Sequence, residues 1–374
     1  MADDPVLARV NEVIERSGLS KKDFAKAIGI DGPKLAKSLV GKRRFTSLEL
    51  ALVAEQGDTT VDWLLTGDST RELVLAHRAA EHAIEASDLV GRQTIEMLVE
   101  KLEGLQFLER PLPFPPLPSK PTVGGYVKQA QRLADECLQM LGSSVGGLTN
   151  SELIGLIEDR FGIDVVVTGL PEACDGLSFS DEGVRAIVLA TSDAPFRQRF
   201  TLAHEIAHLA FGDSEDAVIE ERLWTDKTQT ESRANTFAAS FLAPKVEIVA
   251  RLAGRSAVDA FDDLVLHFQM SPSAMSWRLL NERLVSQEDQ RRLQSQTARA
   301  TAMRAGEAAA HTNRARLAGV PRPPQRLVDA YLDAYRDGAT TLRPAATLLG
   351  QSVEQLELYF VDSASADDSA LHFA

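Results

Sequence analysis

Only two cysteines, Cys137 and Cys174, occur in 374 residues, too few for the disulfide framework of a stapled secreted scaffold. No apolar run approaches the roughly 18 residues that a membrane-spanning helix requires. The N-terminal Met1-Ala2-Asp3-Asp4-Pro5 lacks the apolar core of a signal peptide. The expectation is therefore a cytoplasmic protein with no membrane partner. No repeat of solenoid type is present either. What remains is an ordinary soluble composition, 44% hydrophobic and 25% charged, so a real core can form. A chain of this length predicts two or three domains.

A formal charge of −14 argues against nucleic acid, but the average conceals an asymmetry. Between Lys21 and Arg44 stand Lys21, Lys22, Lys26, Lys34, Lys37, Lys42, Arg43 and Arg44, opposed only by Asp23 and Asp31. Such a basic stretch is the electrostatic footprint of phosphate binding, or else a solvated face. Around it, residues 5–66 read as short helices. Val6, Val10, Val13 and Ile14 form one stripe. Ser20, Asp31 and Ser47 are candidate caps for the next three, with Pro33 in a first turn. Ala25-Lys26-Ala27-Ile28-Gly29 has the spacing of a helix-turn-helix, a small residue where helices cross and a glycine at the turn. Lys34 and Lys37 share a face of the following helix, the one placed to enter a major groove. Lys42, Arg43 and Arg44 follow in a loop suited to phosphates, and Lys21 joins them at the start of the preceding helix.

Residues 71–108 read as one or two longer helices. Ile95, Leu98, Leu102 and Leu105 have the 3-4-3 spacing of a short coiled-coil seam, which would serve a homodimer or packing on the chain's own domains. Six prolines between Arg110 and Pro121 then predict a semi-rigid linker. Beyond it come two amphipathic helices, Tyr126–Leu141 and Thr149–Phe161. Strand-like runs follow at Ile163–Thr168, Gly176–Ser180 and Val184–Thr191. Helices dominate from there onward. A second Ala-x-x-x-Gly spacing, Ala346 to Gly350, precedes a helix bearing Glu354 and Glu357 and no base, which suits packing or protein contact rather than DNA.

The sharpest motif is His204-Glu205-Ile206-Ala207-His208. Residues i and i+4 share a helix face, so both imidazoles can reach one cation, with Glu205 beside them to polarise a bound water. Asp193 can cap this helix and Gly212 can end it. The helix is apolar nearly all round, so its polar groups would be buried and would need partners. A catalytic zinc also requires a third protein ligand. Spacing favours Glu231 on the next helix over Asp213, Glu215, Asp216, Glu220 and Glu221. Asn235, four residues after Glu231, is placed to fix the tautomer of His204. His267 and Cys174 read as core residues, and the strand Val184–Thr191 as a candidate edge for an extended substrate.

The segments Arg199–Leu209 and Glu231–Pro244 resemble the ImmA/IrrE metallopeptidases, over roughly residues 126–285. The resemblance implies a gluzincin-like α+β peptidase with His204, His208 and Glu231 as ligands of one Zn2+ per chain, another divalent ion being an alternative. Glu205 would be the base, and the substrate a transcriptional repressor. Ala207 stands where glycine is commonest in that family. Residues 6–67, including Asp62–Gly67, resemble the Cro/repressor-like (XRE) DNA-binding domains, with Lys21, Gly32-Pro33 and Ser38 as departures.

The reading is thus a multidomain, mostly α protein. A helix-turn-helix domain spans 1–67, connecting helices 68–109, a proline linker 110–124, an α+β peptidase domain 125–285 and a helical C-terminal region 286–374. Its function would be a DNA-binding zinc metallopeptidase regulator of a stress or mobile-element response. The alternative is a transcription factor whose peptidase-like domain senses without turnover.

Overall fold

The structure, a computed structural model, describes residues 5–17, 19–57, 64, 76–77, 84–171, 174–181, 183–213 and 224–363. The chain divides into two compact units, 1–73 and 74–374.

In the first unit, α1 (Pro5–Arg16), α2 (Lys21–Ala27), α3 (Gly32–Leu39) and α4 (Ser47–Gln56) bury Val10, Val13, Phe24, Ala25, Leu35, Val53 and Leu64. Ser20 Oγ accepts from the Asp23 N–H and starts α2. Gly29, at φ +67°, ends it and lets the Ile30 N–H reach back to the Ala25 carbonyl. Asp31 stands at the start of α3 without a side-chain cap, the turn being set by Pro33. Thr46, rather than Ser47, caps α4: its Oγ1 accepts from the Glu49 N–H while the Glu49 carboxylate accepts from the Thr46 N–H. The reciprocal pair requires an acid three residues after the cap, and Thr46 satisfies that spacing. Of the closing Asp62–Gly67, all but the buried Leu64 lie outside the described residues.

The second unit is built on a small mixed sheet of β1 (Ala76–His77), β2 (Asp164–Thr168), β3 (Gly176–Asp181) and β4 (Val184–Ala190). Its order is β1-β3-β4-β2, with β2 parallel to β4 and the other pairs antiparallel. Helix α5 (Ile84–Phe107) covers one face, where Gly91 lies against Leu177 with no room for a side chain between them. Helix α8 (Pro195–Phe211) covers the other, with Thr201 against Gly176. Neighbouring strand residues point to opposite faces, which is how one strand meets both helices. Between α5 and the sheet in sequence lie α6 (Tyr126–Leu141) and α7 (Asn150–Phe161), the latter opened by a reciprocal Thr149–Glu152 cap.

The seam on α5 is used within the chain. Ile95, Leu98 and Leu105 are fully buried, and α5 packs on β4 and on α16 (Gln325–Arg336), where the Tyr331 hydroxyl donates to the Lys101 carbonyl at 2.6 Å. Of the two readings of the stripe, a homodimer seam or packing within the chain, these three residues serve the second. Strand β1 stands at Ala76–His77 where helix was expected, and residues 71–75 and 78–83 lie outside the described residues. The proline segment is likewise not a spacer between bodies but a strap on the second unit. Arg185 of β4 donates to the Pro115 carbonyl at 2.6 Å and stacks over Phe114 at 3.9 Å, and Arg326 donates to the Pro113 carbonyl at 2.9 Å. Proline carbonyls, freed of any ladder, make good acceptors for such cations.

Helices α9 (Trp224–Leu242), α10 (Lys245–Leu252), α11 (Phe261–Phe268) and α12 (Pro272–Asn281) complete the core. No break follows at 285, where sequence suggested one. Helix α13 (Gln287–Gln294) packs on α12, α14 (Ala298–Arg304) on α11 and α15 (Ala308–Ala318) on α8. The chain then returns to the sheet, where Val167 and Arg322 exchange backbone hydrogen bonds at 2.8 and 2.9 Å and cover part of the β2 edge. Arg322 grips buried Glu158 at 2.7 and 2.8 Å, and Arg326 grips buried Asp164 at 2.8 Å through both oxygens. Burial pushes both carboxyls up, and the guanidinium groups draw them back. Helices α17 (Arg343–Leu349) and α18 (Val353–Ser363) end the described chain, with Ala346 buried and Gly350 at φ +62°.

Candidate metal centre

Helix α8 begins at Pro195, whose fixed φ and missing N–H suit a first helical position. Ala194 stands at the cap without a side-chain bond, so Asp193, the expected cap, is displaced by one residue. Gly212 ends the helix at φ +69°. Between these ends the helix is almost entirely buried, lying between the sheet and α9. His204 and Glu205 are inaccessible and His208 is nearly so.

One turn apart, the rings of His204 and His208 meet edge to face with centroids 4.8 Å apart and Nε2 atoms 3.0 Å apart. Helix α9 brings Glu231 against both, Oε2 lying 3.3 Å from His204 Nε2 and Oε1 3.5 Å from His208 Nε2. The donor set of two imidazoles and a carboxylate suits a borderline cation such as zinc. Its spacing can be tested too. Donors about 2.0–2.1 Å from a common tetrahedral centre lie about 3.3 Å from one another. The three separations of 3.0, 3.3 and 3.5 Å bracket that value. His204, His208 and Glu231 can thus hold a metal ion.

Each histidine is turned by an outer partner. Asn235, one turn after Glu231 on α9, has its Oδ1 3.1 Å from His204 Nδ1. An Nδ1–H donated there leaves the Nε2 lone pair for the cluster. His208 Nδ1 faces Asp213 Oδ2 at 3.4 Å, and the other oxygen of Asp213 accepts from Arg233 at 2.6 Å. Sequence reading weighed Asp213 only as a rival ligand and did not consider Arg233. The missed signal was Gly212, whose left-handed turn folds the next residue back so that the Asp213 N–H bonds the His208 carbonyl at 2.9 Å. Glu215, Asp216, Glu220 and Glu221 lie outside the described residues.

The charges are strongly coupled. Burial works to raise the Glu231 carboxyl, yet hydrogen bonds from His204 and His208 hold it well below the usual carboxylate range. Burial works to lower His208, yet Asp213, Glu231 and the charge of Glu205 carry it up to about 10. A proton and a cation compete for that same nitrogen. Glu205 itself is the outlier: both carboxylate oxygens are buried and neither has a hydrogen-bond partner among the described residues. A carboxylate so placed is costly unless it serves something entering the site.

Other expectations fare differently. Strand β4, considered as a docking edge for substrate, is an interior strand paired by β3 on one side and β2 on the other, so its backbone groups are taken. The near-continuous apolar run was the sign of a strand buried on both faces. His267 lies against Phe268 and lines a separate cleft with Gly147, Arg251 and Asp263, while Cys174 is buried and directed at the Gly176 carbonyl. A further residue that sequence reading passed over is Arg199. Fully buried, it donates to the carbonyls of Leu148 at 3.0 Å and Val145 at 2.6 Å, fastening that loop to α8.

In the first unit, Lys21, Lys34, Lys37, Lys42 and Arg44 are exposed, with Lys34 and Lys37 on α3. Arg43 is not like them. It is partly buried and donates to Ser38 Oγ at 3.0 Å and to Glu49 at 2.6 Å, so its charge is satisfied inside the unit. The same bond gives the buried Ser38, which stands where an aliphatic residue was expected, its polar partner.

No curated protein matches this chain. Residues 158–280, which run from the end of α7 into α12 and carry His204, Glu205, His208 and Glu231, match the family model Peptidase_M78, the IrrE N-terminal-like domain, and that match implies a peptidase.

Proposed function

We propose that the chain is a metal-dependent peptidase regulator that binds DNA through its first unit and cuts a cognate transcriptional repressor or antitoxin-like protein with its second. The observation that carries the reading is the pairing of a zinc-spaced donor set with a buried Glu205 next to it that has no hydrogen-bond partner among the described residues. A regulator that only bound metal would have no use for that carboxylate. When bound by His204, His208 and Glu231, zinc supplies Lewis acidity, lowering the pKa of a water and polarising a carbonyl. Glu205 accepts the proton of the attacking water and returns it to the leaving amine. Asn235 keeps His204 in one tautomer throughout. In the first unit, Lys34 and Lys37 present charge on α3 while Lys21, Lys42 and Arg44 suit phosphates, which position without specifying.

The test is co-expression with a candidate repressor drawn from the genes that neighbour this one. Wild type removes full-length repressor, and Glu205→Gln leaves it intact, with turnover of purified repressor down about 10²–10⁴-fold. Equal, intact repressor with both proteins, and unchanged DNA binding, would instead establish the non-catalytic sensor. For the DNA half, Lys34→Ala/Lys37→Ala abolishes the specific mobility shift of the chain's own promoter. Undiminished binding removes α3 from the interface.

A further inference from the structure

The structure assigns to Asp213, held in place by Arg233, the task of orienting His208 for the metal, an inference that rests on the metal-site reading above. Three observations separate this from an ordinary ion pair. First, the Asp213–Arg233 pair is not the two-point fork that guanidinium and carboxylate usually form. Nη2 and Oδ1 meet at 2.6 Å, while the buried Arg233 Nε makes no hydrogen bond among the described residues. Second, the oxygen left over, Asp213 Oδ2, is buried and has no hydrogen bond elsewhere among the described residues; the same is true of His208 Nδ1, and these two atoms face each other at 3.4 Å. Third, the Arg233 guanidinium carbon sits over the Phe211 ring, 4.1 Å from its centroid, a contact that favours its present position over one that completes the fork. The carboxylate is divided, one oxygen to the arginine and one to the imidazole.

The consequence is an asymmetry between the two ring ligands. His204 is turned by a neutral amide, His208 by a full negative charge. A carboxylate on Nδ1 raises the basicity of Nε2 and makes His208 the stronger donor. Helix α9 therefore delivers a ligand in Glu231 and the supports of both histidines in Arg233 and Asn235. Asp213 and Arg233 are positioning residues, since neither is among the ligands.

The experiment measures zinc affinity of the full chain at fixed pH by competition with a chromogenic chelator, together with the visible spectrum of the cobalt-loaded protein. Asp213→Asn, which keeps the shape and removes the charge, weakens zinc binding about 10–100-fold and shifts the cobalt spectrum. Arg233→Met weakens it by less. The double variant matches Asp213→Asn alone, because Arg233 acts through Asp213. Asp213→Glu restores part of the affinity and serves as the readout should Asp213→Asn fail to fold. Zinc binding by folded Asp213→Asn within about twofold of wild type overturns the inference while leaving the metal site intact, as do additive effects of the two substitutions. Wild type that binds no zinc overturns both the inference and the reading beneath it.

Discussion

Two clusters of buried acid lie in the second unit. Around Glu158 and Asp164 every oxygen is satisfied: Arg322 takes both of Glu158, the Gln325 N–H adds a third bond, and Arg326 takes both of Asp164. Around His204 and His208 the same inventory does not close. Among the described residues Glu205 has no partner for either oxygen, and His208 Nδ1 and Asp213 Oδ2 have only each other at 3.4 Å. Glu205 is as buried as Glu158 and Asp164, so burial does not distinguish it from them. Completeness does. A charge cluster whose groups satisfy one another is a fastening, whereas one with convergent unused donors is a site for something else.

The comparison can be broken at the fastening first. Arg326→Met leaves Asp164 charged, buried and alone, and should lower the unfolding free energy by about 3–5 kcal/mol in urea titrations. A loss under about 1 kcal/mol would mean that the C-terminal region is an appendage rather than part of the core. At the metal centre the sign is reversed, since adding a ligand should stabilise. Zinc at about 100 times its Kd should raise the unfolding free energy by about 2.7 kcal/mol, seen as a higher Tm, and His204→Ala should abolish the increase. An equal shift in His204→Ala would place the zinc elsewhere.

The smallest effect concerns the first unit, where Arg43 and Glu49 form a more exposed pair. The hydrogen bond from Arg43 holds the Glu49 carboxyl below its ordinary value of 4.5. A lowered folded-state pKa means a contribution present above the unfolded value and lost as pH falls through the depressed one. Below pH 4.5, Arg43→Met should therefore approach wild type in stability, while near neutrality it should trail by under about 1 kcal/mol. A gap that widens on acidification would remove Glu49 as the partner that matters.

Much of the metal centre was legible because it is written in local spacing. His204 and His208 are one helical turn apart, and so are Glu231 and Asn235; a helix converts such spacing into a shared face without any help from the rest of the fold. Three of the four strands were legible for the same reason, and their observed bounds, 164–168, 176–181 and 184–190, fall within a residue of the apolar runs, whereas β1 at Ala76–His77 falls where helix was expected. Asp213 and Arg233 were not legible, because their meeting depends on a left-handed glycine and on the crossing of α8 by α9. Nor was the strand order. Alternation tells which face a residue takes, but a strand between two others and a strand at an edge have the same apolar pattern when both faces are covered.

Thus the amino-acid sequence by itself determined the candidate donor types, the helices that carry them, and the basic surface of the first unit, all of which follow from chemistry and period. Tertiary structure decided the rest. It covered the α5 seam, laid the proline segment along the second unit as a strap, and moved Arg43 from the exposed basic set into an internal pair. It also fastened the C-terminal helices to the sheet through Glu158 and Asp164. For the seam, the strap and the C-terminal helices the partner lies far along the chain. Even for Arg43, whose partners are five and six residues away, the pairing forms only where packed elements bring the groups within reach.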